Sequence, residues 1–243
     1  MTAPVAALSG GLRLCEDVAS ALRPAPVDVH HLTEAARHVA ARLDDLASWL
    51  DELRHDAAAV RTIAERSYWH PNGFAKLVLH TGVDHKLRLH VWPAGEGRLG
   101  ESNPHSHRWP FASTVVAGGG LHMVEYTESE TRGHHYDRYR YGADPADRAA
   151  LVAAGAARLT RVRSLHNTYG GGYSCDTDVV HTVAPIGAAL TATLVVQGPQ
   201  RTPSTVVYRR PGLGDDQPNG VLTESDVRSL TGDVLAAYRG RAR

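Results

Sequence analysis

The chain has 243 residues, enough for one domain with appendages, and 42% of them are apolar, as in an ordinary globular protein. Twenty-six basic residues balance twenty-six acidic ones, so no net field recruits nucleic acid or an anionic membrane. No apolar run reaches the roughly 18–20 residues of a membrane span, the N-terminus lacks a signal-peptide pattern, and Cys15 and Cys175 are too few for a disulfide framework, so a reduced, cytoplasmic protein is expected.

The first 68 residues carry a helical pattern. Leu32, Ala36, Val39, Leu43, Leu46, Leu50 and Leu53 recur at steps of four and three, one apolar stripe on a helix, with Asp28 or Thr33 as its cap. Packing against the rest of the chain is the expected use of the stripe, with a coiled-coil seam as the alternative. A second helix follows around Ala57 to Arg66, and the turn residues His70 to Gly73 end the segment.

From Phe74 the texture becomes that of short strands rich in β-branched and aromatic residues. In "KLRLHVW", Leu87, Leu89 and Val91 alternate with Arg88, His90 and Trp92, which predicts a strand with one apolar face. About nine such runs predict an antiparallel sandwich or barrel and not βαβ units. One interruption reads as a helix, "DPADRAALVAAG", with Asp144 as N-cap, Pro145 at the first helical position and Gly155 as the stop. A capping signal at Thr223 opens a closing helix. The expected organisation is a helical segment over 1–73, a β-barrel over 74–211 and a tail with a helix over 212–243.

Histidine is the residue to follow: the chain has fifteen, nine of them between His70 and His135. In "NPHSHRWPF", His105 and His107 stand two apart, so on a strand both imidazoles project from one face and can meet one metal ion. His181, in "DTDVVHTVAP", opens another β-rich run. A histidine-rich chain also produces such pairs by coincidence.

Taken together, these segments resemble the cupin superfamily. Its first motif carries two histidines one residue apart with a glycine about ten residues on, here Gly118. Its second is a turn ending in histidine, here Asp176 to His181. The resemblance implies a mainly β fold, a single cupin (jelly-roll) barrel with N-terminal helices and a short C-terminal helix. It also implies a metal held by His105, His107 and His181. Cupins commonly add a glutamate after the second histidine, but Arg108 to Ser113 contains no carboxylate. The implied centre is therefore three neutral histidines, as in the thiol-dioxygenase branch, with His90 and His122 as candidates for a fourth ligand. Fe(II) is the expected metal, with Zn(II) or another divalent ion as the alternative.

By position, Tyr173, Arg88 and Trp109 are the candidate catalytic and substrate-contacting groups. Tyr173 would donate a hydrogen bond near the metal, Arg88 would anchor a carboxylate, and Trp109 would wall the pocket. The implied activity is a non-haem Fe(II) oxygenase on a small amino-acid-like substrate. The texture of "HPNGF", "LRLHVWPAG" and "HSHRWPF" also resembles natural-product-pathway cupins of actinobacteria. That implies as an alternative N–N bond formation from an N-hydroxylated amino acid. A non-catalytic binding or regulatory barrel is the remaining alternative. A small-molecule substrate is the expected partner, with no nucleic acid and no membrane, and pairing through sheet edges makes a homodimer the expected assembly.

Overall fold

In a computed structural model, residues 9–23, 26–95, 101–144, 147–212 and 219–241 are described. Four helices come first: α1 (Ser9–Ala21), α2 (Val29–Ala40), α3 (Leu43–His55) and α4 (Ala57–Arg66). Thirteen strands follow: β1 (Tyr68–His70), β2 (Phe74–Thr81), β3 (Lys86–Trp92), β4 (Glu101–His105), β5 (Phe111–Gly118), β6 (Leu121–Glu128), β7 (His134–Asp144), β8 (Asp147–Asn167), β9 (Gly172–Cys175), β10 (Val180–Pro185), β11 (Thr191–Gln197), β12 (Ser204–Arg209) and β13 (Gly220–Val221). Helix α5 (Glu224–Arg239) closes the chain. The expected mainly-β class, with one barrel and helices at both ends of the chain, is the one formed.

The apolar stripe lies where its spacing puts it, but on two helices. Asp28 caps α2 by accepting from the His31 backbone N–H, and α2 ends at Ala40 before α3 begins at Leu43. All seven stripe residues are buried. Thr33 is not a cap: it sits inside α2 and donates to the Val29 carbonyl. The stripe packs inward and is no coiled-coil seam. Its residues join the side chains of β2, β3, β5 and β11 in one core, and Thr114 on β5 donates to the Ala36 carbonyl of α2. Thr223 caps α5 in a reciprocal capping box with Asp226, and α5 buries Val227, Leu230, Val234 and Leu235 in that same core.

The strands form two antiparallel layers. One is a seven-stranded sheet in the order β13-β1-β2-β3-β11-β5-β9, and the other closes on itself as β10-β4-β12-β7-β8-β6. The helices cover the first sheet's outer face with Leu77, Leu87, Leu89 and Leu194. Alternation then turns Lys76, Arg88, His90 and Val195 to the other face, into a cavity shared with the closed sheet.

The helix expected over Asp144 to Gly155 does not form. Pro145 lies outside the described residues, Asp144 ends β7, and Gly155 sits inside β8. The alanine-rich run has good helix propensity, but β7 offers it a long ladder, from His134 opposite Leu159 to Asp144 opposite Asp147. Cross-strand pairing overrides intrinsic preference here. Gly155 is a bulge residue and not a helix stop. The register slips between the Asp137–Ala156 and Tyr139–Ala153 pairs, Gly155 takes φ +93°, and Arg138 donates to the freed Ala154 carbonyl.

Gly118 ends β5 with φ +87°, and a Cβ there would lie 1.6 Å from the Leu190 carbonyl oxygen. Both the backbone conformation and the space require glycine. Gly118→Ala is expected to lower unfolding free energy by about 2 kcal/mol or more, read as a reduced urea midpoint at unchanged m-value.

Candidate metal centre

Strand β4 supplies the first candidate ligands through its alternation. Glu101, Asn103 and His105 are spaced by two and share a face, and the chain leaves the sheet at Ser106, so His107 sits in the connector before β5. His181 is the second residue of β10, directly opposite His105 in the β10–β4 ladder. The three imidazoles meet with ring centroids 4.8, 5.0 and 5.1 Å apart. Among the described residues, Glu101, His105, His107 and His181 form a group whose ligand atoms all lie within 4.8 Å of one another.

The three histidines singled out in the sequence are thus together, but the expected all-histidine centre is corrected. A carboxylate completes the group, and it comes from upstream of the histidines instead of from Arg108 to Ser113. Neither proposed fourth histidine takes its place. His122 faces outward, its ring 4.5 Å from that of His166 at a tilt, and it is hydrogen-bonded to Ser164. His90 lines the cavity on the facing sheet without joining the group. The signal for Glu101 was present in the sequence, because Glu101 and His105 are four apart on one strand face.

The donor set suits a divalent cation. The His105 Nδ1–H donates to the Asn103 carbonyl at 2.8 Å, which turns the Nε2 lone pair inward. Nδ1 of His181 lies 3.4 Å from Sγ of Cys175, a contact that orients that ring. Nε2 atoms of His107 and His181 are buried without a hydrogen-bond partner among the described residues. Burial and the neighbouring imidazoles hold His107 well below the usual histidine range and push His181 down to about 3, so both rings are neutral, as ligation needs.

Glu101 is ionised. Burial alone would raise its pKa, but Lys76 and His105 outweigh that and hold the carboxyl well below the usual range. Lys76 donates to Oε1 of Glu101 at 2.8 Å, while Oε2 lies 3.5 Å from Nε2 of His105. The lysine would lose charge to burial, yet Glu101 and Tyr68 keep it protonated. Nε2 of His70, in the sequence a mere turn residue, lies 3.9 Å from Oε1.

The group opens on a cavity of about 880 Å³. Tyr173, Arg88 and Trp109, the other singled-out residues, all line it. Tyr173 packs against Phe111 and His181, and burial raises its hydroxyl well above the usual range, so it stays a proton-bearing donor. Trp109 is in the connector and not on a strand; the guanidiniums of Arg88 and Arg108 lie 5.4 and 5.3 Å from its ring. His70 and Trp92 line the cavity too, each stacked on the buried Phe74 ring, at 4.7 and 4.6 Å.

No protein-family model matches the sequence, and no curated protein does either. Among solved structures the chain is similar to hydroxypropylphosphonic acid epoxidase from S. wedmorenis, at 9% identity and a TM-score of 0.33, over 81% of this chain and 100% of that one. A structural-genomics protein from Shewanella oneidensis aligns at 11% identity and a TM-score of 0.31, over 76% of this chain and 96% of that one. A cupin-2 domain from Rhodospirillum rubrum aligns at 13% identity and a TM-score of 0.21, over 69% of this chain and 78% of that one. These likenesses are loose, and the functional reading is built on the chain's own residues. Among the described residues no helix is long and apolar enough to cross a membrane.

The buried histidines set the acid response of the metal-free protein. His70, desolvated and beside Lys76, and His181 both sit at about 3 when folded, against about 6.5 unfolded. Below pH 6.5 the unfolded chain therefore binds more protons, and stability falls as pH falls. Each histidine is expected to cost about 2 kcal/mol at pH 5 relative to pH 7. Denaturant titrations across that range check this, and His70→Asn is expected to flatten the slope.

Proposed function

We propose that the chain is a mononuclear non-haem Fe(II) enzyme of the cupin type, an oxygenase acting on a small amino-acid-like substrate. The observation that carries this reading is the convergence of Glu101, His105, His107 and His181 on one point in the wall of an aromatic-lined cavity. Histidines mixed with a carboxylate, with positions left for exogenous ligands, are the donor pattern of non-haem Fe(II) oxygenases. The likeness to thiol dioxygenases, which depended on an all-histidine set, is not retained.

When bound, the iron would supply a redox-active Lewis-acid centre where substrate and O₂ can meet. The protein's own groups do the rest. Lys76 orients the Glu101 carboxylate and keeps it ionised, and the Asn103 carbonyl and Cys175 set the ring planes of His105 and His181. The Tyr173 hydroxyl holds its proton beside the group and can donate to an oxygen atom developing charge there. Trp92, Phe111 and Trp109 line the cavity and exclude water from the reacting atoms.

Anaerobic loading with Fe(II) is expected to give one metal per chain by elemental analysis. His107→Ala and His181→Ala should each lower the affinity by at least tenfold, on the order of second-sphere losses or larger. A wild-type protein that retains no metal, or variants that bind it unchanged, would sink the proposal and favour a metal-free binding barrel. Retention of Zn(II) with rejection of Fe(II) would overturn the oxygenase reading while leaving the site standing.

A further inference from the structure

The cavity's charges are strongly one-sided. Lys76, Arg88, Arg108 and Arg209 line it, and Glu101 is the one carboxylate among its lining residues, already paired with Lys76. Arg88 stands apart from the metal group, on β3, and no carboxylate pairs with it among the described residues. Its guanidinium lies against the face of Trp109 and interacts with Tyr68, and its Nε is buried with no hydrogen-bond partner among the described residues. A desolvated guanidinium left in this state is costly, and it is stable in use when an anion completes it.

A second orphaned polar atom lies beside it. Oε1 of Gln197 is buried without a hydrogen-bond partner among the described residues, and Gln197 lines the same cavity. The β3–β11 register places Lys86 opposite Gln197 and Arg88 opposite Val195, so Arg88 and Gln197 are diagonal neighbours on one face. Long side chains reach across that separation. A terminal amide can turn either end toward a ligand, so Gln197 can donate to an oxygen or accept from a neighbouring N–H or O–H. Around the pair the walls are apolar and aromatic: Trp109, Phe111, Tyr139 and Val195.

We propose that Arg88 and Gln197 form a preformed subsite for the carboxylate of the substrate, and that the substrate class is an organic acid with an apolar or aromatic body. The geometry matches the chemistry. A guanidinium fork takes a planar carboxylate in two parallel hydrogen bonds, the indole of Trp109 backs the fork, and the body lies along the aromatic wall toward Tyr173 and the metal group. This inference rests on the metal-centre reading for the direction in which the body points, but the subsite itself uses none of the proposed ligands.

The test is calorimetric titration of full-length, metal-free protein with phenylacetate and with its neutral isostere phenylacetamide. Phenylacetate is expected to bind at least tenfold more tightly than the amide. Arg88→Gln should remove that preference by weakening phenylacetate about tenfold or more while leaving the amide unchanged. Gln197→Met, of similar volume, should weaken phenylacetate by a smaller factor. If Arg88→Gln does not fold, as judged by its thermal melt, the acid–amide comparison on the wild type and the Gln197→Met variant still decide the matter. Equal binding of acid and amide, or no detectable binding of either, overturns the subsite. So does phenylacetate binding that appears only after Co(II) loading and is unaffected by Arg88→Gln, because the anion would then sit on the metal. A chain that takes up no divalent metal but keeps the Arg88-dependent preference fails the metal reading and supports this one.

Discussion

The buried ion pair between Lys76 and Glu101 is the constraint around which the interior is organised. Two opposite charges held 2.8 Å apart inside the protein gain little stability in themselves, since desolvation offsets most of their attraction. Removing one partner is another matter and typically costs about 3–5 kcal/mol. The pair therefore persists for what it positions. It fixes a carboxylate beside three histidines, sets its ionisation, and ties β2 of one sheet to β4 of the other across the cavity.

The fold was largely legible because period-two alternation is a strong local signal. "KLRLHVW" separates Leu87, Leu89 and Val91, all fully buried toward the helices, from Arg88 and His90, which face the cavity. The helical stripe was legible for the same reason, although nothing in its spacing marked the break at residues 41–42. The alanine-rich run after Asp144 misled because its capping signal and propensity were local, whereas the ladder with β7 is a property of the assembled sheet. At the site, His105, His107 and His181 were found by spacing. Glu101 was missed because the family pattern directs attention downstream of the histidines, while the strand's own alternation extends upstream. Lys76 and His70 could not be assigned from sequence at all, since their role depends on which strands face each other.

The two faces of the first sheet divide the protein's tasks. Its outer face is locked to α2, α3 and α5 by a continuous apolar core, which gives the sheet its rigidity. Its inner face carries the polar groups, and buried atoms of Arg88, His90 and Gln197 there have no hydrogen-bond partner among the described residues. Unsatisfied groups of this kind are destabilising in a scaffold and useful in a binding site, where preorganised donors avoid reorganisation when a ligand arrives.

The pairing of His105 with His181 across adjacent strands has a consequence for how this chain can vary. Because the two histidines are opposed by main-chain register, inserting or deleting a single residue within β4 or β10 would turn one imidazole to the opposite face and disperse the cluster. Length changes there are tolerable only in pairs, whereas the turns beyond the strand ends can change freely. Descendants of this sequence should therefore accumulate indels in the connectors and almost none between Glu101 and His107, a pattern that holds whatever reaction the centre performs.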